Sequence, residues 1–287
     1  MKDYLSLIRI RSWVKNLIVF APLFFSTRME WHNLIINALP AFISFCLASG
    51  SIYIFNDLTD IPYDRTHPLK KLRPLAAGKI SRAKASWLSV SLLLTSLVIS
   101  WLTKPVVLWA IGSYVILNLL YSLFLKKFSL IDLFVISLGF IFRIMAGSLA
   151  TGVVLSDWII LLTLLLSVLL ILGKRRQDIQ IGVEGIPLRP SLRGYSKNYI
   201  DLMMVLVAAA MVTTYIMYSI SPELESRIQS NYFKLTSLWI ILAVLRFFQL
   251  IFVFQKTENP IELFLKDPFL LITVLLWLLS CFFFLYL

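Results

Sequence analysis

Long apolar runs separated by short polar stretches organise this chain, with neither strand-like alternation nor a one-sided helical stripe to compete with them. A bilayer core takes roughly 20 predominantly apolar residues per helix. Nine segments reach or approach that length, near 10–26, 34–58, 82–101, 105–125, 130–151, 157–173, 199–219, 235–254 and 268–287. The pattern predicts an all-α, polytopic membrane protein with nine transmembrane helices, forming a single domain over residues 1–287.

The cations between these runs set the expected orientation. Lys2, Arg9, Arg11 and Lys15 lie at the start. Arg65, Lys70, Lys71, Arg73, Lys79 and Arg82 follow the second run, and Lys126 and Lys127 the fourth. Lys174, Arg175, Arg176, Arg189, Arg193 and Lys197 follow the sixth, and Lys256 and Lys266 the eighth. The opposite connections hold only Arg28, Lys104, Arg227 and Lys234. Positively charged loops stay in the cytoplasm, so the N-terminus is expected inside and the C-terminus outside. The two longest polar connections, 60–81 and 174–198, then fall on the cytoplasmic side. Long ordered loops are usually functional, so the chemistry is expected there.

One polar cluster stands out. The second run leads straight into NDLTDIPYD, which brings Asn56, Asp57, Asp60 and Asp64 together before the basic Arg65, Lys70, Lys71 and Arg73. Ionisable groups at membrane depth are costly and mark function. Spacings of three and four place the acids on roughly one helical face, although Pro62 should kink or end the helix between them. An all-oxygen donor set without His or Cys suits a hard cation. Mg²⁺ held by one or two carboxylates fills its remaining positions with water and substrate phosphates, and the neighbouring Lys and Arg suit the same phosphates. A solvated helix end is the bland alternative.

Two further clusters point the same way. YSLFLKKFSLID carries Tyr121, Lys126 and Asp132, and Arg143 follows well inside the fifth run. Lys126 could merely snorkel, but an Arg halfway along a span needs a partner or a wet cavity. GKRRQDI closes the sixth run, with Lys174 nearest the boundary and therefore the best phosphate ligand there, and RPSLRGYS follows. The remaining features read as structural. Trp87 and Trp158 suit interface anchors. Gly147 with Thr151, and Ser148 with Gly152, are small-residue pairs that allow close helix packing. His32 and His67 have no metal-ligand company.

Composition narrows the class without changing it. A mean hydropathy of +0.86 with 15% charged residues excludes a soluble domain and a disordered chain alike. The net charge of +12 reflects topology rather than a nucleic-acid surface. Cys46 and Cys281 lie far apart in apolar runs and suit packing, not a disulfide or thiolate site. The first run has no cleavage signature after it, and neither an internal repeat nor a Gly-rich phosphate loop is present.

RIRSWVKNLIVFAPLFF, NDLTDIPYDRTHPLKKLRPLAAG, the LK-plus-acid segment near 126, IFRIMAGSLATG and GKRRQDI with LRGYS occur in that order over nearly the whole chain. Together they resemble the UbiA prenyltransferase superfamily, and within it the decaprenyl-phosphate phosphoribosyltransferase branch. One departure from ordinary prenyl transfer is visible. Where typical members carry a second DxxxD motif, this chain reads GKRRQDIQIGVE, with only Asp178 and Glu184 acidic.

The resemblance implies a UbiA-type bundle in the bacterial inner membrane, with a cytoplasmic active-site cavity capped by loops 60–81 and 174–198. It implies Mg²⁺-dependent transfer of 5-phosphoribose from 5-phosphoribosyl-1-diphosphate (PRPP) to a long polyprenyl phosphate, for envelope glycan synthesis. Asn56, Asp57, Asp60 and Asp64 would hold the metal and orient the diphosphate, with Asn56, Asp57 and Asp60 counted as catalytic. Arg65, Lys71 and Arg73 would neutralise diphosphate or ribose-phosphate oxygens. Lys15 with Asn16, Lys126, Arg143 and Lys174 would bind the lipid phosphate or the 5-phosphate, with Tyr121 and Tyr195 as hydrogen-bond donors. A homo-oligomer is left open. The rival reaction is transfer of a polyprenyl chain from its diphosphate to an aromatic or other acceptor, against which the missing second motif counts. A transporter would place polar groups in both membrane halves and often repeat its broken helices.

Overall fold

The computed structural model describes residues 2–26, 30–66, 70–183, 190–228, 230–256 and 260–287. These residues are helical nearly throughout, with no strand among them. They form two compact units, Met1–Leu155 and Ser156–Leu287.

The first unit opens with a short helix, Lys2–Ile8, followed by a tight 3₁₀ coil, Ile10–Phe20, and one α turn, Ala21–Phe24. Four main helices follow: α1 (Trp31–Thr66), α2 (Arg82–Thr103), α3 (Val107–Leu123) and α4 (Ile131–Thr151). In a 3₁₀ coil side chains eclipse every third residue; Asn16 and Val19, three apart, are the buried residues of the coil, and Pro22 of the α turn that follows is buried below them. Val19 packs with Phe45 and Ile52 of α1, Ile111 and Tyr114 of α3, and Ala146 and Ala150 of α4. The coil approaches α4 so closely that a Cβ on Gly147 would lie 1.9 Å from the Val19 carbonyl oxygen. The expected small-residue packing at Gly147 is thus borne out.

α1 and α2 meet through serines. Ser44 hydrogen-bonds the Ser96 and Ser100 hydroxyls at 3.0 and 2.5 Å, and Ser51 meets Ser89 at 3.0 Å. On α2 the buried residues are the small Ala85, Ser89, Ser96 and Ser100, whereas Trp87, Leu94, Val98 and Trp101 point outward. Large apolar side chains outside and small polar ones at the helix contact suit a lipid surround, where close packing and hydrogen bonds hold helices together.

The second unit holds α5 (Asp157–Val183), α6 (Lys197–Ser219), α7 (Phe233–Val253) and α8 (Pro268–Tyr286), with short helices Pro222–Ile228 and Pro260–Lys266. Trp277 Nε1 donates to the Tyr215 hydroxyl at 2.7 Å, which meets Thr236 Oγ1 at 2.8 Å, tying α6, α7 and α8 together. Seven described helices are long and apolar enough to span a membrane, and α3 is shorter at 17 residues. The first predicted run, 10–26, falls on the 3₁₀ coil and its α turn. At roughly 2.0 Å rise per residue that coil covers more distance than an α-helix of the same residue count.

Candidate active site

α1 does not end at Pro62 but continues through it to Thr66, which keeps the acidic cluster on one helix. The acids divide into two rows. Asp57 and Asp64, seven residues apart, are buried and face the N-terminal segment and the loop after α1. Asn56 and Asp60, four apart, face the end of α3 and the turn beyond it.

In the first row Arg73 Nη1 donates to Asp57 Oδ1 at 3.1 Å and to Asp64 Oδ2 at 2.7 Å, so one nitrogen bridges both carboxylates. Arg9 Nη2 donates to the same Asp57 oxygen at 2.5 Å. Arg9 links the Lys2–Ile8 helix to the 3₁₀ coil with φ 56°, ψ 51°. That left-handed conformation costs an L-residue roughly 1–2 kcal/mol. The pairing with Asp57 and the guanidinium 5.0 Å over the Tyr53 ring hold it there. The loop that carries Arg73 is fixed by Leu75 and Ile80, which pack with Leu7, Ile54 and Ile61. Its backbone is closed by Arg73 N to Lys70 O at 2.9 Å and Ala77 N to Arg73 O at 2.8 Å.

In the second row Lys126 Nζ donates to Asp60 Oδ1 at 2.7 Å, and the Ser122 hydroxyl donates to Asn56 Oδ1. Tyr121, half-buried, precedes Ser122 on α3. Arg65 turns from the acids, its Nε donating to the Ala76 carbonyl at 3.3 Å, and Lys71 is exposed.

Arg143 lies in a box of its own. It is buried, its Nε donates to Asn16 Oδ1 at 2.7 Å, and Nη1 donates to the Gly139 carbonyl at 2.6 Å. Its guanidinium stands 5.0–5.1 Å from the ring centroids of Phe45, Tyr114 and Phe140. Asn16, also buried, is oriented by donating to Cys46 Sγ and Ser49 Oγ, both at 3.2 Å. Among the described residues Arg143 has no carboxylate partner. Tyr53 lies in the field of Lys15, Arg143 and Arg9.

In the second unit Lys174 is exposed, whereas Tyr195 is buried with its ring 6.1 Å from that of Tyr199. The two arginines after Lys174 are engaged within the unit. Arg175 donates to Asp178 at 3.2 Å, and Arg176 to Asp201 at 2.7 Å. Asp178 is therefore committed to an arginine. Glu184 and His67 lie outside the described residues.

Sequence reasoning missed Arg9, Ser122 and Tyr53. In the sequence Arg9 reads as a topological charge. The signal available was its place one residue before a segment that must turn back along the acid-bearing helix. Ser122, four residues before Lys126, shares that lysine's face of the chain but carries no charge to draw notice.

Among the described residues no three His, Cys, Asp or Glu side chains converge on a point where a cation could sit. The donors present nevertheless fit Mg²⁺, which needs only one or two protein carboxylates when phosphates and water complete its shell. Asp57 and Asp64 already share a cationic group between them, and Asn56 carries an amide oxygen on the neighbouring row, where it accepts from Ser122.

A profile of the UbiA prenyltransferase family matches residues 17–266. A decaprenyl-phosphate phosphoribosyltransferase of Mycolicibacterium smegmatis is 32% identical over 282 residues, spanning 94% of this chain and 88% of that protein. One of the same name from Corynebacterium glutamicum is 31% identical, spanning 94% and 82%. Among solved structures, a UbiA homologue from Archaeoglobus fulgidus bound to DMAPP and Mg²⁺ matches with a TM-score of 0.72 over 99% of both chains at 19% identity, a likeness of fold.

Proposed function

The chain belongs to the UbiA prenyltransferase family, and from that premise we propose that it transfers 5-phosphoribose from PRPP to a long-chain polyprenyl phosphate, decaprenyl or undecaprenyl. It is a transferase of a multi-pass membrane family. The observation that carries the proposal is the interleaving of acids and bases at the polar end of α1. Asp57, Asp60 and Asp64 each meet a cation from a different segment. That arrangement complements a metal-bound diphosphate, whose metal takes carboxylates and whose oxygens take arginine and lysine.

In this reading Asn56, Asp57, Asp60 and Asp64 would hold Mg²⁺, which would supply Lewis-acid charge to the leaving diphosphate. Arg9, Arg73 and Lys126 orient the diphosphate or ribose-phosphate oxygens, with Lys71 and Arg65 at the exposed side. Arg143, stacked in its aromatic box without a carboxylate partner among the described residues, presents fixed positive charge for the lipid phosphate or the 5-phosphate, with Asn16 bonded to it and Lys15 next along the chain. A preorganised charge in a low-dielectric site stabilises an anion far more than one in water. The lipid phosphate oxygen forms the new bond to the anomeric carbon as the bond to diphosphate breaks. A phosphate monoester is already anionic near neutral pH, so no general base is required. The roles of Lys174, Tyr121 and Tyr195 as phosphate ligands rest on the sequence resemblance.

The proposal includes nine spans, with Ile10–Phe24 and α3 as the two additional crossings, and a cytoplasmic active-site cavity. The test is transfer by the purified, detergent-solubilised protein from radiolabelled PRPP to polyprenyl phosphate, with and without Mg²⁺. Label entering the organic phase only with metal is the expected result. No transfer from folded protein to several polyprenyl phosphates, together with activity on prenyl diphosphates and an aromatic acceptor, would overturn it.

A further inference from the structure

Every aspartate of the α1 cluster is matched by a protein cation. Arg73 bridges Asp57 and Asp64, Arg9 completes Asp57, and Lys126 holds Asp60. Three acids and three bases cancel, and Asp57 and Asp64 are buried to 3% and 2% exposure. We infer that Arg9 and Arg73 hold the place of a divalent metal on these carboxylates, so that metal and diphosphate bind only as a coupled pair. The carboxylates pass to the metal as the guanidiniums pass to the diphosphate. This rests on the reading that a diphosphate is handled here.

The argument is one of charge in a poorly solvated place. A divalent ion entering alone must displace Arg73 from two carboxylates, leaving a guanidinium beside a new cation, and like charges at such distances repel strongly where water is scarce. A diphosphate entering alone would set its oxygens against Asp57 and Asp64. When both enter, each displaced arginine gains a phosphate and each carboxylate gains the metal. Bidentate guanidinium–phosphate contacts make arginine the suitable exchange partner. The exchange needs side-chain motion only. The Arg73 loop is pinned by Leu75 and Ile80 and by its backbone hydrogen bonds, while the Arg73 and Arg9 side chains are 26% and 31% exposed, so each guanidinium has an open side toward which to move.

The experiment measures Mn²⁺ bound to the full chain in detergent by its paramagnetic resonance signal, without any diphosphate. Wild type is compared with Arg73→Gln, Arg9→Gln and Lys79→Gln, the last removing an exposed charge paired with Asp3. Arg73→Gln should bind Mn²⁺ about tenfold tighter than wild type, Arg9→Gln should shift the same way, and Lys79→Gln should change little because an exposed charge is screened. Radiolabelled inorganic diphosphate should be retained by wild type only when Mn²⁺ is present. Two variants guard against one failing to fold. Mn²⁺ binding no tighter in either arginine variant, an equal gain from Lys79→Gln, or metal-independent diphosphate retention overturns the inference. Transfer from PRPP is read separately. Transfer without the Arg73→Gln gain leaves the function standing and removes the exchange, and the gain without transfer does the reverse.

Discussion

Asp57 and Asp60 lie three residues apart on one helix, yet the chain holds them by unlike means. Asp57 is buried and accepts from two arginines, while Asp60 and its partner Lys126 are each about 30% exposed. Both substitutions to Asn should abolish PRPP-dependent transfer if these oxygens serve the metal. They should separate in stability. Asp57→Asn removes the negative charge that two guanidiniums share, Arg73 keeping Asp64, and should cost about 1.5–3 kcal/mol, as for hydrogen bonds to charged groups. Asp60→Asn should cost about 0–1 kcal/mol, as for an exposed ion pair. Thermal unfolding in detergent checks the order, and equal losses would mean that the two rows are not energetically distinct. Arg143 offers a complementary test. A guanidinium cannot lose its proton, and burying it without a carboxylate costs stability. Arg143→Gln should therefore lower transfer by roughly 10- to 100-fold, the worth of one charge-assisted hydrogen bond, while leaving the melting temperature unchanged or raised. A clear drop in melting temperature would make Arg143 a structural residue.

Apolar runs announced most helices because nothing else in the chain competes with them, and α2, α4, α6 and α8 fall close to their expected bounds. The exception is Ile10–Phe20, whose 3₁₀ winding has no compositional signature. Its spacing of three becomes visible only when Asn16 and Val19 are seen buried together. Of the kink or end expected at Pro62, the end does not occur, because packing at Ile61 and the bonds to Asp64 hold the last turn in place. The same coil gives an element-scale prediction. Gly147→Ala would drive a methyl into the Val19 backbone and should destabilise by at least the roughly 1–3 kcal/mol typical of overpacking. Gly112→Ala, with open space around it, should be neutral or stabilise by up to about 1 kcal/mol through helix propensity. At the start of α8, Asp267 accepts from the Leu270 amide at 3.0 Å, and the Arg246 guanidinium beside it, chiefly by hydrogen bonding, holds its carboxyl below the usual range. A depressed folded value means stabilisation that is present above the unfolded carboxylate range and lost as pH falls through the folded one. Asp267→Asn keeps the helix cap but should flatten the dependence of melting temperature on acid pH. An unchanged slope would assign that dependence to other carboxylates.

At the scale of the whole molecule the decisive question is whether Ile10–Phe24 crosses the membrane. Seven described helices meet the length and apolarity of a crossing. If those seven alone crossed, the termini would also lie on opposite sides, so parity cannot distinguish seven spans from nine. Counting from α1, however, the two cases place the acidic cluster differently. With Ile10–Phe24 as a crossing, the Lys2–Ile8 helix and the polar end of α1 lie on the same side, as they must if Arg9 is to reach Asp57 at 2.5 Å. With Ile10–Phe24 merely resting at one surface, that contact would draw the coil along the full length of α1. The burial of Val19 against Phe45, Ala48 and Ile52 along α1 favours the crossing. In the proposed orientation, with positive loops retained in the cytoplasm, Arg9, Asp57 and Lys126 lie inside together. Single cysteines introduced at Lys2, Lys71 and Leu287 of a Cys46→Ala, Cys281→Ala background test this in inverted and right-side-out vesicles. An impermeant thiol reagent should label the first two only in inverted vesicles and Leu287 only in right-side-out ones. A cysteine in the short connection at Glu30 should label with the Leu287 group. Labelling of Glu30 from the cytoplasmic face would remove the first crossing and with it the nine-span arrangement.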